Sequence, residues 1–580
     1  MLHSLARLAQ YTGRALLHPY SVASFGVVFL LLVGSLGQAQ SPTLTAFGGE
    51  PPRRALDFAG GTDWLNVDRP IVPADLKGRI VLVDFWTLCC INCIHTLPDL
   101  AKLEAKYPGV LVVIGVHSPK FDNEKKTESI RKAVLRYDIK HPVINDADHK
   151  IWRRYGVESW PTLILFDAEG YYVGETSGEG NFDVLDVNIE KLVKQAKDKK
   201  LLKGTPFPFE LVREKADSPL FFPGKVLADE KSSRLFIADS TNNRIVITDL
   251  AGKKIAVAGD GAEGFKDGEF AKARFSDPQG MALVNETLYV ADRKNHVLRA
   301  LDLTAKTVKT VAGTGEQDRY SRNKGGPGLK IGLNSPWDLL YHDKLIYIAM
   351  AGHHQIWTYD PAGGTVDPFS GNGRETIVDG PHRFASFAQP SGLATDGKTL
   401  YVADSETSSI RAVPFDPTGK VSTIVGEGLF EFGDKDGVGD EVRLQHALGL
   451  AYKAGKLYVA DTYNSKIKLI DPEKRSCKTF LGDPPGWLKP KMFNEPGGLS
   501  IAGNNLYIAD TNNHRIRIVD LTTKAMTTLD IRGVDAVKRE MTAKETPKEK
   551  KDRWRAERRK LPGYDRHNPA AYAARLAIKS

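Results

Sequence analysis

Apolar and polar positions follow two different patterns along this chain. Between residues 53 and 200, short apolar runs at 80–86, 111–116 and 162–166 are separated by stretches near 96–106 and 125–137 whose apolar residues recur at helical spacing. Strands alternating with helices predict a central, largely parallel sheet covered by helices. From residue 221 the pattern becomes repetitive. The segments Leu235–Asp239, Leu288–Asp292, Ile346–Met350, Leu400–Asp404, Leu457–Asp461 and Leu506–Asp510 are near-copies of Leu-Tyr-Val-Ala-Asp, about 50–60 residues apart. A Pro-Gly-like start precedes each copy, as in Pro278-Gln-Gly280 and Pro390-Ser-Gly392, and a second alternating strand follows, as in Arg515–Leu521. Short strands at this period cannot bury their faces alone, so the six units must stack radially into an all-β six-bladed propeller.

Charge and composition sharpen the boundaries. The net charge of +9 is concentrated in the tail from residue 536, which carries 14 Lys and Arg against 6 Asp and Glu. The body is therefore nearly neutral, and the tail, 536–580, reads as a solvated, partly helical or disordered basic segment rather than a nucleic-acid site. At the other end, Arg7 and Arg14 precede an apolar run from Val22 to Leu36, followed by Gly37 and Ala39 at signal-peptidase spacing. Residues 1–40 read as a signal peptide or N-terminal membrane anchor, which places the body outside the cytoplasm, in the periplasm or secreted. The remaining organisation is a linker at 41–52, an α/β domain at 53–200, a linker at 201–220 with Pro206 and Pro208, and the propeller at 221–535.

Three of the four cysteines, Cys89, Cys90 and Cys93, fall within five positions, where the apolar run Ile80–Phe85 gives way to helical spacing. A thiol opening a helix meets unpaired N–H groups and the positive end of the helix dipole, which favour thiolate, and a second thiol three residues on lies one turn away. That arrangement suits reversible disulfide exchange. Asp84, inside the strand, reads either as a solvated acid or as a buried carboxyl that accepts the proton of the second thiol. Half a zinc site is the alternative, with His95 as a third ligand, but the remaining cysteine, Cys477, is far away in sequence. Gly-x-Gly triplets recur at the repeat period with no helix after them, so they mark blade turns and not a phosphate loop.

Val-Asp-Phe-Trp followed by Cys90-Ile-Asn-Cys93 and by Pro98 resembles the thioredoxin superfamily, and Tyr155–Gly170 resembles its second signature. The resemblance implies Cys90 as nucleophile, Cys93 as resolving thiol, Asp84 as proton acceptor, and a substrate groove formed by Trp86, Trp160 and a cis Pro161. Cys89 stands where that family usually has tryptophan and is read as a possible auxiliary thiol, expected to be a bystander. Asp510-Thr-Asn-Asn-His-Arg515 resembles the NHL repeat, in which Asp and Asn bond the turn backbone. Together the halves resemble the NHL repeat-containing protein 2 family across residues 53–531. The implied function is an extracytoplasmic thiol–disulfide oxidoreductase acting on proteins with thiols or disulfides, with no cofactor beyond the Cys90–Cys93 disulfide and no metal. The propeller is expected to recruit a protein partner from the end of a short tether. The alternatives are a non-catalytic interaction scaffold and a metal-dependent propeller lyase using His353, His354 and His446.

Overall fold

The computed structural model describes residues 55–214, 218–319, 324–484 and 492–537. The apolar segment of residues 1–40, the linker 41–52 and the basic tail beyond 537 lie outside the described residues. Among the described residues no helix is long and apolar enough to cross a membrane.

The first domain has strands β1 (Trp64–Leu65), β2 (Ile80–Trp86), β3 (Leu111–His117), β4 (Val143–Asn145), β5 (Thr162–Phe166) and β6 (Tyr172–Ser177). Its helices are α1 (Pro73–Leu76), α2 (Ile91–Lys106), α3 (Thr127–Arg136), α4 (Lys150–Tyr155) and α5 (Phe182–Asp198). One sheet runs in the order β1-β4-β3-β2-β5-β6. Only the β2–β3 and β3–β4 pairings are parallel; β5 pairs antiparallel with β2, β6 antiparallel with β5, and β1 antiparallel with β4. The sheet is therefore more mixed than the strand–helix alternation predicts, because the turn joining β5 to β6 is too short for a crossover and permits only an antiparallel hairpin.

Every residue of β2 and β3 is buried, as a central strand covered on both faces requires. Successive side chains alternate between faces. Val81, Val83 and Phe85 enter one core with Ile114 and Phe166, while Ile80 and Leu82 enter the other beneath α2 and α5. Asp84 shares the face of Ile80 and Leu82, so it lies under the helix that carries the cysteines.

Residues 226–528 form six antiparallel sheets, the first and last four-stranded and the other four carrying an additional two-residue outer strand. The ring closes where Arg532 pairs with the outer strand of the first blade, its carbonyl accepting from Lys254 N–H at 3.0 Å. The repeat motif is structural, as the NHL resemblance implies. Asp510, for example, accepts Asn494 N–H at 2.8 Å and Asn513 Nδ2 at 2.8 Å, tying the turn to the segment that leads into the same blade's inner strand. In blade three Met350 takes the aspartate's place and its sulfur faces Asn334 N–H at 3.4 Å. The small residues beside it, Ala351 and Gly352, leave room for helix α2, and Ala351 packs with Ile91 and Ile94.

The two halves are not a body and a tethered module. Segment 201–214 is pinned to the first domain, with Leu201 and Leu202 in its core and Val212 N–H bonded to Asn66 Oδ1 at 2.9 Å. Glu214 then bridges Arg131 and Lys132 of α3 to His514 of the propeller. One face of the propeller is covered by the first domain, and the thiols sit at that contact.

Candidate functional site

The contact is built on a crown of six residues, Phe222, Asp277, Ser335, Gln389, His446 and Glu495, one ahead of each blade's inner strand. All six adopt left-handed backbone with φ between 49° and 60° although none is glycine. That conformation costs of order 1 kcal/mol and persists only where the surroundings hold it. Here each crown N–H donates to a side chain of the preceding blade's turn, at 3.0–3.3 Å: His514, Asn243, His296, His354, Ser408 and Ser465 in turn.

Helix α2 points its N-terminus into this crown. Cys90 is its N-cap residue, with extended backbone and no side-chain capping bond. Cys90 is half-buried, while Cys93, one turn along the helix, is fully buried. Burial first, and then Cys90, push the Cys93 thiol well above its ordinary range. Asp84 is 0 % exposed and neither carboxylate oxygen has a hydrogen-bond partner among the described residues. Burial raises its pKa to about 7, with the charge of His141 opposing. The charge of Asp84 also acts on the Cys93 thiol, in the same upward direction.

Cys89 lies in the same buried cluster as Cys93 but has different polar neighbours. Its N–H donates to Glu124 Oε1 at 3.0 Å, and its thiol is held well above the ordinary range by burial, then by Glu124 and Glu406. Glu124 also accepts from Thr87 Oγ1 at 2.6 Å and from the N–H groups of Lys120 and Phe121 at 2.8 and 3.0 Å, so it organises both loops around the thiols. His117, at the end of β3, is fully buried; its Nε2 accepts Leu88 N–H at 3.2 Å, and burial lowers its pKa to about 3. Lys120 forms a buried ion pair with Glu406 of blade four. The sequence setting favours a surface loop for His117 and Lys120 over an approach to the substrate side, but both side chains are buried. Glu124 carries one local signal, the Phe121–Glu124 reach-back that opens a short 3₁₀ turn.

The expected groove needs correction. Trp86 is 1 % exposed, edge-on to His117 at 4.9 Å, because β2 is covered on both faces; it packs in the core with Cys93, Phe121 and Ile130 and lines no groove. The Trp160–Pro161 bond is cis, and Pro161 is buried. Trp160 remains half-exposed, stacked obliquely on Trp152 at 4.6 Å with its Nε1 donating to Ser118 O at 2.9 Å. Beside the helix, a cleft of about 720 Å³ opens between α2 and the propeller, lined by His95, Tyr137, Arg293 and Arg319 among others.

The histidines suggested for a metal are each turned to other groups. His353 Nε2 donates to Asp318 O at 2.7 Å, His354 Nδ1 accepts Gln389 N–H at 3.1 Å, and the His446 ring stacks on Tyr463 at 4.6 Å. His95 is turned to Glu179 and to Ser335, at 2.5 and 2.6 Å. Among the described residues no cluster of three or more His, Cys, Asp or Glu could hold a metal. Cys477 is a buried thiol in the core of blade five, its pKa pushed up to about 12, chiefly by burial.

A family model described as thioredoxin-like matches residues 78–172, and one for the NHL repeat matches residues 493–519. NHL repeat-containing protein 2 of Bos taurus is 42 % identical over 496 residues, covering 78 % of this chain and 68 % of that protein. The chain belongs to the NHL repeat-containing protein 2 family. Protein SUPPRESSOR OF QUENCHING 1, chloroplastic, of Arabidopsis thaliana is 45 % identical over 471 residues, covering 77 % of this chain. The chain spans only 44 % of that plant protein's length. Thiol-disulfide oxidoreductase ResA of Bacillus thuringiensis is 30 % identical over 118 residues, 20 % of this chain and 66 % of that protein.

For a member of this family with three neighbouring thiols, burial sets the order of reaction. Reduced protein treated with iodoacetamide near neutral pH is expected to carry the label on Cys90 first, read by peptide mass spectrometry. Cys89 or Cys93 labelled ahead of Cys90 would reverse the assignment.

Proposed function

We propose that this protein is a thiol–disulfide oxidoreductase working outside the cytoplasm, with Cys90 and Cys93 as its redox pair. One observation carries the reading: a half-buried thiol at a helix N-terminus is followed one turn on by a fully buried thiol, and an unpartnered carboxyl lies beneath that helix. Nothing in the packing of a thioredoxin-like core needs that combination. The similarity of residues in this region to a relative named as a thiol–disulfide oxidoreductase supports it.

In the reducing direction the Cys90 thiolate attacks one sulfur of a substrate disulfide, and the other sulfur leaves as thiolate. Cys93 then gives its proton to Asp84 and attacks Cys90 Sγ, releasing the second substrate thiol. Two electrons pass to the substrate and the pair becomes a disulfide. The reverse sequence donates a disulfide. A carboxyl with a pKa of about 7 can take up and return that proton near neutrality, which an ordinary aspartate does poorly.

The substrates are proteins bearing thiols or disulfides. The propeller has surface for a protein partner, but its crown face is occupied by the first domain, so a partner would use the opposite face or the blade edges. The Arg7/Arg14-led apolar run supports export, with membrane association through that segment.

Turnover of a small disulfide with dithiothreitol as electron donor tests the reading. Cys93→Ser is expected to accumulate a mixed disulfide at Cys90, Cys90→Ser to abolish turnover, and Cys89→Ala to retain most of it. Full turnover in Cys90→Ser would refute it.

A further inference from the structure

The first free backbone donor of helix α2 does not face the Cys90 thiol. Ile91 N–H is bonded instead to Gln389 Oε1 of blade four at 2.9 Å, and Gln389 Nε2 donates to Cys89 O at 3.0 Å. One side-chain amide thus grips the peptide units on both sides of Cys90. The grip is stiff. Gln389 is 1 % exposed and left-handed at φ 60°; its N–H is bonded to His354, and its carbonyl accepts the hydroxyls of Ser391 and Ser405, both at 2.8 Å.

We propose that Gln389 is a positioning residue of the thiol site, so that the site is assembled from both domains rather than from the thioredoxin-like domain alone. The proposal rests on the thiol-exchange reading. A cysteine at a helix N-cap draws on the free N–H groups of the first turn when it ionises. Gln389 takes one of them and fixes the direction in which the sulfur leaves the turn. No other crown residue is equipped for this. Ser335 and Glu495 bond side chains of the first domain, whereas Gln389 alone presents a donor and an acceptor to adjacent backbone units. The charged groups around the same turn are Glu124, Glu406 and Lys120 on the Cys89 side and Asp84 beneath.

The test is the rate of iodoacetamide alkylation of Cys90 in the reduced, full-length protein between pH 5 and 9, for the parent, Q389A, Q389M and Q389E. Near-ultraviolet circular dichroism and the thermal transition report whether the domains stay docked. Q389A and Q389M leave Ile91 N–H without its acceptor. Their profiles are expected to move to lower pH, with alkylation at pH 6 faster by about two- to fivefold, the size of one helix-terminus interaction. Q389E keeps an acceptor but sets a negative charge beside the sulfur, so its profile should move to higher pH. Opposite displacements with docking retained support the proposal. Profiles superimposed on the parent overturn it, and so does loss of docking in all three variants, which would make Gln389 a stability residue. Alkylation needs no turnover. A parent protein that alkylates at Cys90 but reduces no disulfide therefore defeats the oxidoreductase reading whatever the variants' profiles do, so the two failures are told apart.

Discussion

Glu406→Ala is expected to destabilise the protein by about 3–5 kcal/mol, the range for removing one partner of a buried ion pair. The side chains of Lys120 and Glu406 are only 7 % and 2 % exposed, and no solvent is available to take over the ammonium when the carboxylate is gone. Burial alone would depress the Lys120 pKa, yet Glu406 outweighs it and the net shift is upward. Burial would likewise raise Glu406, but Lys120 and then His446 hold it below the ordinary glutamate value. The sign follows for each group. The Lys120 contribution is present below the unfolded lysine pKa and is lost as pH rises through its raised folded value. The Glu406 contribution is present above about pH 4.3 and is lost as pH falls through its depressed folded value. The pair therefore supports the docked state across the neutral range and gives way in acid. Urea denaturation at pH 7 measures the cost, and the double variant Lys120→Met with Glu406→Leu should recover most of it, because burying two apolar side chains leaves no charge stranded. A loss under 1 kcal/mol in Glu406→Ala would mean that the pair is hydrated and the domains less tightly closed.

Asp84→Asn should act in the opposite sense on stability while damaging the chemistry. The Asp84 carboxyl titrates at about 7 when folded and near 3.9 when unfolded, so between those values the folded protein holds a proton that the unfolded chain has released. Stability then falls with rising pH across that window, by as much as about 4 kcal/mol for a displacement of roughly three units. Asparagine removes the buried charge, and the variant is expected to gain on the parent as pH goes from 5 to 8. Its disulfide turnover should fall, and the limb of the pH–rate profile near neutrality should flatten, since no carboxylate remains to accept the Cys93 proton. Glu124→Gln provides the contrast. That carboxylate, with a pKa raised to about 7 chiefly by burial, satisfies four donors, three on Oε2 and one on Oε1, and an amide nitrogen in the place of Oε1 would still oppose the Cys89 N–H. Glu124→Gln should destabilise where Asp84→Asn stabilises. If both move stability the same way at pH 8, hydrogen bonding does not separate the two acids.

What the sequence disclosed and what it withheld have distinct physical origins. A parallel strand such as Ile80–Trp86, a helix opening at Cys90 and a repeated Leu-Tyr-Val-Ala-Asp strand are written in local periodicity, so both folds and the thiol pair were legible. Asp84 was half-legible, because strand alternation fixes its face but not what covers that face. Trp86 misled for the same reason: a residue next to a reactive loop can still point into the core. The docking of the two halves was invisible. Its partners are far apart in sequence, as in Asn123 with Glu495 at 2.9 Å, and each crown residue is unremarkable by itself. The usable clue was divergence inside repetition. In six copies of one strand start, the position ahead of the inner strand carries Phe222, Asp277, Ser335, Gln389, His446 and Glu495, with no two alike.

A six-bladed ring offers a visitor six settings that its backbone cannot tell apart. Turning the first domain by one blade would bring Glu495 to the place of His446, Gln389 to that of Ser335 and Phe222 to that of Glu495, so that Arg136 would lose its carboxylate and Ile91 N–H its amide. Every wrong setting leaves charges or donors stranded at once, and such mismatches discriminate more sharply than the gain from any single correct contact. The crown acts as an indexing plate: it removes the rotational degeneracy of the repeat and delivers one helix terminus to one blade.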